Sequence, residues 1–157
     1  MNKILRFAYS FLSVGITAVV AAFFSSRAMQ TFYPSLNMPP FSPPDYVFAP
    51  VWSILYTLMI VSYYMVLNSS DTMKIQSASL LFLGQLFLQM LWSYMFFGIG
   101  FYGSALVVMA LMIWTVYKMI ERFKTINETA GNLQYPYLLW LLFAAYLNIG
   151  IAYLNVS

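Results

Sequence analysis

Asn37-Met38-Pro39-Pro40-Phe41-Ser42-Pro43-Pro44-Asp45-Tyr46-Val47-Phe48-Ala49-Pro50-Val51-Trp52 holds five of the seven prolines of the chain. Each proline fixes φ and removes a backbone donor, so the stretch up to Pro44 reads as a stiff, semi-extended loop and not as helix or central strand. Beyond it the pattern changes. Asp45 is suited to cap a helix, Pro50 is tolerable only in that helix's opening turns, and Trp52, Tyr56, Met59 and Tyr63 recur at i, i+4, i+7 and i+11. That spacing places an aromatic stripe on one helix face. Taken alone, such a stripe describes an ordinary packed face as well as a ligand wall.

The composition of the remainder decides what solvent this helix meets. Of 157 residues only 7% are charged and 62% are hydrophobic, and the mean hydropathy is +0.78. A water-soluble domain carries about 25% charged residues, so this chain has too little polar surface to face water on all sides. It reads as an all-α integral membrane protein. A net charge of +3, from seven basic and four acidic residues, is too small and scattered for a nucleic-acid footprint. With neither cysteine nor histidine in the chain, no disulfide, zinc site or histidine-dependent triad is expected, and no metal ligands are assigned.

Taken in order, the sequence predicts five spans, at about 5–27, 45–67, 74–97, 102–122 and 135–155, in a single domain covering 1–157. The basic start and apolar core of the first span also fit a secretory signal. The run from Phe7 to Phe24 is longer than the usual signal core, however, and favours a retained helix. Ala18, Ala22 and Ser26 repeat on it every four residues, a pattern that lets helices approach closely within a bundle or across a dimer. The connection 28–44 is longer than a plain helix link needs. On the third span Gln85, Gln89, Trp92 and Phe96 share a face, and glutamines at that depth need either interhelical partners or a polar ligand. Gly98-Ile99-Gly100-Phe101-Tyr102-Gly103 matches G-x-G-x-x-G, but it joins two apolar helices and follows no strand, so it reads as a tight turn.

Five spans put the termini on opposite sides. Lys3, Arg6, Lys74, Lys118, Arg122 and Lys124 fall on the amino-terminal side and only Arg27 on the other. That asymmetry predicts an amino terminus inside, with the carboxyl terminus and the loop 28–44 outside, in a multi-pass protein of the cell membrane.

On the fifth span Trp140, Ala144, Leu147 and Asn148 share a face, setting a small residue and an amide beside an indole. Together with Pro43-Pro44-Asp45-Tyr46-Val47-Phe48-Ala49-Pro50-Val51-Trp52, Leu55-Tyr56, Gln85-Leu86, Trp92, Phe96-Phe97-Gly98 and Pro136-Tyr137-Leu138-Leu139-Trp140, these residues resemble the TspO/MBR family, the translocator proteins once called peripheral benzodiazepine receptors. The resemblance covers essentially the whole chain. It implies a five-helix bundle, commonly a homodimer, that binds porphyrins and other apolar small molecules in a pocket under the first long loop. In some bacterial members it implies light-dependent degradation of protoporphyrin. Trp52, Trp140, Ala144, Leu147 and Asn148 fall on family pocket positions, and Tyr56, Gln89 and Trp92 complete the expected ligand-binding set. Phe41 and Tyr46 stand where the family often has tryptophan, and Gln89-Met90 replaces a common Asn-Trp pair. No basic residue follows Tyr153, as the animal cholesterol motif requires.

Two functions follow from the resemblance. One is a protoporphyrin IX binder that degrades its ligand in light, needing no further cofactor, with Trp52 and Trp140 as the catalytic pair. The other is a porphyrin or lipid transporter or sensor that leaves its ligand unaltered. Helix arithmetic places Trp52 about 10 Å below the outer surface and Trp140 about 6 Å above the inner one. That arithmetic predicts a height difference of roughly 14 Å, with Trp52 at the mouth and Trp140 toward the floor.

Overall fold

A computed structural model of the chain describes residues 2–156; Met1 and Ser157, the ends of the 1–157 domain, lie outside the described residues. Among the described residues every regular element is helical, and five segments are long and apolar enough to cross a membrane. Helix α1 spans Lys3–Gln30 and opens with the Asn2 side chain accepting from the Leu5 amide at 2.9 Å. No proline or glycine interrupts it after Arg27, so it runs a turn further than the expected end at 27. The connection to the second span is therefore 31–44 rather than 28–44, and it includes a 3-10 turn at Tyr33–Ser35. Asp45 makes no capping hydrogen bond. It sits instead in the 3-10 turn Asp45–Val47 that leads into helix α2, Phe48–Leu67, where a negative charge complements the helix dipole.

Helix α3, Thr72–Ser93, is capped by Asp71, whose carboxylate accepts from the Lys74 amide at 3.0 Å. It then widens into a π-helical turn at Tyr94–Gly98. Gly100, at φ +69, turns the chain into helix α4, Tyr102–Lys124. A short helix α5, Glu128–Asn132, precedes helix α6, Tyr135–Leu154. Around the bundle α1 lies between α2 and α3, α3 packs on α4, and α4 packs on α6, while α5 sits against α2 and α4. The helices are packed most densely in the half that carries Tyr63, Phe82 and Phe123, whose rings stack with centroids 4.0 Å (Tyr63 to Phe82) and 6.0 Å (Phe82 to Phe123) apart. All three are fully buried.

The stretch 125–134, whose Asn127, Gly131 and Asn132 read as a polar loop, is instead folded into the bundle. Ala130 and Gly131 are buried, and the Ser62 hydroxyl donates to the Ala130 carbonyl at 2.7 Å. Gly131 is pressed against the Lys124 stem, so closely that a Cβ there would displace it. The helix of the fifth span, α6, runs Tyr135–Leu154 against the expected 135–155, and the separate short helix α5 precedes it. The ring contacts overturn the predicted height difference. Trp140 meets Phe48, one turn before Trp52 on α2, at 6.0 Å, and Trp52 meets Tyr137 at 6.2 Å, so the two indoles stand within about a turn of each other. Trp140 is at the mouth with Trp52, not at the floor.

Candidate functional site

A cavity of about 410 Å³ occupies the half of the bundle nearest the proline-rich loop. All eight residues named from sequence line it: Trp52 and Tyr56 on α2, Gln89 and Trp92 on α3, and Trp140, Ala144, Leu147 and Asn148 on α6. The α2 stripe divides by depth. Trp52 and Tyr56, stacked at 5.4 Å, face the cavity, whereas Met59 and Tyr63 are buried in the packed half below it. Helices α2 and α6 approach each other largely through these large side chains, and the gap between their backbones becomes the cavity.

The amides are already committed to the protein. The Trp92 indole N–H donates to Asn148 Oδ1 at 3.0 Å, and Asn148 Nδ2 donates to the Tyr102 carbonyl at 2.9 Å. Gln89 Nε2 donates to the Tyr56 hydroxyl at 2.7 Å. The Tyr137 hydroxyl donates to Gln85 Oε1 at 2.8 Å. Each glutamine thus has the interhelical partner expected of it, though Gln85 Nε2 is left buried without one, and Gln89 also lines the cavity. Tyr56 accepts from Gln89, which leaves its own hydroxyl proton to be offered elsewhere. The wall that remains is aromatic and apolar, with N–H and O–H donors at intervals.

Two features frame the mouth. The loop is tied to α6: the Tyr146 hydroxyl donates to the Pro40 carbonyl at 2.6 Å, and Asn37 and Asn155 exchange bonds of 2.8 and 2.9 Å. Pro39 packs directly on Gly150, where a Cβ would leave it no room. On the opposite flank α1 and α2 touch at their far ends, through Ser10 to the Ile60 carbonyl and Arg6 to Asn68. They part toward the loop, where Ala22, Ser26, Ala49 and Ser53 line the cavity yet remain exposed. The Ala18, Ala22, Ser26 row therefore borders a crevice within the protomer instead of drawing α1 against another helix of it.

Asp45 is the one charged residue on the lining. Beside it Tyr33 is buried, and that burial pushes its hydroxyl up to about 12, with smaller contributions from the Asp45 carboxylate and Tyr102. Sequence reasoning missed several lining residues. Phe48 lies one turn before Trp52 on the same stripe and could have been found by extending the pattern backward. Phe96, already read on the face of Gln89 and Trp92, lines the cavity, and Phe97 joins it where the π turn widens α3, a geometry with no simple periodic signal. Tyr33 comes from a loop, where no periodicity exists.

Five membrane-crossing helices around one aromatic cavity, roofed at one end by a proline-rich loop, define a multi-pass membrane protein with a small-molecule-sized chamber. The chain belongs to the TspO/MBR family, whose family model matches residues 8–154. It is 35% identical over 134 residues to the tryptophan-rich protein TspO of Chlorobaculum tepidum, covering 84% of each chain. Against the tryptophan-rich protein TspO of Archaeoglobus fulgidus the identity is 32% over 156 residues, covering 98% of this chain and 99% of the relative. The human translocator protein is 34% identical over 119 residues, 74% of this chain and 70% of the relative.

Proposed function

We propose that the chain binds a large planar aromatic molecule, protoporphyrin IX or a related tetrapyrrole, in the cavity between α2 and α6, and degrades it in light. The observation that carries this reading is the placement of Trp52 and Trp140 within about a turn of each other on facing helices, so that both indoles border one apolar chamber. A flat ring system inserted there lies against both. Such a macrocycle absorbs light itself, dissolved dioxygen would serve as the oxidant that takes its electrons, and the protein's part is to orient the ring and border it with two indoles. The cavity falls within the ~300–1,000 Å³ range of small-molecule sites.

The exposed crevice between α1 and α2 favours a second reading, in which the ligand passes between cavity and bilayer unaltered and the protein acts as carrier or sensor. Illumination of the porphyrin-loaded protein separates the two. Loss of the porphyrin absorbance with growth of a new pigment supports degradation; unchanged absorbance leaves binding alone. Trp52→Phe and Trp140→Phe keep most of the apolar bulk and remove the indole. They should retain porphyrin binding within roughly tenfold while slowing the photoreaction sharply. Parental rates in the folded double variant would reduce both tryptophans to packing residues. We further take the protein to reside in the cell membrane as a homodimer, with its amino terminus in the cytoplasm.

A further inference from the structure

A serine hydroxyl inside a helix commonly bonds a carbonyl one turn back. Ser13, Ser25, Ser53 and Ser77 do so here, while Ser10 and Ser62 reach a carbonyl of another helix. Ser93 does neither. It is the last residue of α3 before the π turn, it lines the cavity at 2% exposure, and its hydroxyl has no hydrogen-bond partner among the described residues. A buried hydroxyl left unpaired is costly, so an occupant of the cavity that bonds it is favoured over one that cannot.

The polar groups around Ser93 decide what such an occupant must carry. Gln89, one turn earlier on α3, holds the Tyr56 hydroxyl at 2.7 Å, so both hydroxyls belong to the α3 side of the cavity. The amide oxygens of the lining are already used: Asn148 Oδ1 accepts from Trp92 at 3.0 Å and Gln89 Oε1 from Tyr137 at 3.4 Å. The lining carboxylate, Asp45, belongs to the exposed turn before α2 and not to this wall. Tyr56 keeps its own proton to give, and the Trp52 and Trp140 indoles line the cavity with no acceptor for their N–H groups among the described residues. The capacity left over is that of donors, and its complement is an acceptor oxygen.

We propose that Ser93 is the polar anchor of the cavity: its hydroxyl donates to an acceptor oxygen, a carbonyl or carboxylate, at the rim of a planar aromatic ligand, and so sets which edge of the ring system faces α3. The aromatic walls take the faces of the ring, and Ser93 reads its edge. The inference rests on the reading that this cavity holds such a ligand, and it adds the group on the ligand that the protein recognises.

Three porphyrins sharing one macrocycle test this: protoporphyrin IX with its carboxylates, its dimethyl ester with neutral carbonyls, and etioporphyrin, whose substituents are alkyl groups without oxygen. Each is titrated into the purified full chain and into Ser93→Ala in uncharged detergent, with tryptophan quenching as the readout. Ser93→Ala breaks no hydrogen bond within the protein, so its unfolding midpoint should match the parent's. Protoporphyrin IX and the ester should each weaken by about fivefold, and etioporphyrin should not move. Equal weakening of all three would make Ser93 a residue of shape alone, and unchanged affinity for the acid and the ester would leave its hydroxyl unused. A marked drop in the unfolding midpoint would place the hydroxyl's partner inside the protein. Each of these results overturns the proposal and leaves the cavity reading standing, whereas absence of saturable binding of all three to the parent overturns the cavity reading and this inference with it.

Discussion

The Trp92 indole donates to Asn148 across the bundle at 3.0 Å, and both residues are buried. Asn148 passes the link on by donating to the Tyr102 carbonyl, so one amide joins α3, α6 and the start of α4. Asn148→Leu should therefore lower unfolding stability by about 1–3 kcal/mol, because it removes the acceptor of a buried indole N–H. Adding Trp92→Phe removes the stranded donor. A double-mutant cycle followed by thermal unfolding should show the pair to be less destabilised than the sum of the two single changes. Strict additivity would mean that the bond contributes nothing.

Ala144 is half-buried and lines the cavity one turn above Trp140. Ala144→Phe places a ring in the space a ligand would occupy. Porphyrin affinity should fall more than tenfold. The unfolding midpoint should move little, since the added ring enters the chamber and not the packed half below. Equal titrations of the folded variant and its parent would remove Ala144 from the site, while a collapse in stability would show that the ring had wedged α6 from its neighbours.

The orientation proposed from the basic residues can be read in intact cells, because the chain contains no cysteine. Val156 and Ser70 are both exposed and lie at opposite ends of the bundle. An impermeant maleimide should label Val156→Cys directly and Ser70→Cys only after permeabilisation. The reverse result would invert the protein in the membrane.

Tyr33 makes a prediction about alkaline pH. Its hydroxyl titrates near 12 in the folded chain because it is buried beside Asp45, whereas an unfolded tyrosine titrates near ~10. Between those values the unfolded chain has lost the proton and the folded one retains it. Stability therefore falls as pH rises, by about 1.4 kcal/mol per pH unit for this group. Tyr33→Phe should show a shallower decline over that window in detergent-solubilised protein. Identical slopes would mean that Tyr33 ionises as freely in the folded chain as in the unfolded one.

Helix type and number were legible because lipid imposes long apolar runs, and α3 and α4 begin within two residues of where the sequence puts them. The site was legible where it lies on helical stripes, as with Trp52 and Tyr56 or Trp140, Ala144 and Asn148. What escaped was set by tertiary contact. Residues 125–134 carry Asn127, Gly131 and Asn132 and read as loop, yet Ser62 and the Lys124 stem hold them inside the bundle. Trp140, expected at the floor, meets Phe48 at the mouth, a contact across two helices that periodicity along one of them does not report. The small row on α1 was read as a packing device because spacing alone cannot tell a close approach from a crevice.

The loop runs covalently from α1 to α2, yet Asn37, Pro39 and Pro40 are anchored on α6 and its carboxyl-terminal cap. Phe41, 91% exposed at φ +64, marks the point between its tied and its free portions. A protease cutting there would leave Asn37, Pro39 and Pro40 still fastened to Asn155, Gly150 and Tyr146. The nicked molecule would keep its roof and lose only the tether to α2, freeing that helix to swing about its contacts with α1 and α5. The latch of the chamber is thus a splice between the first and last spans, and the peptide connection to the second serves as a leash whose length limits how wide the wall can open.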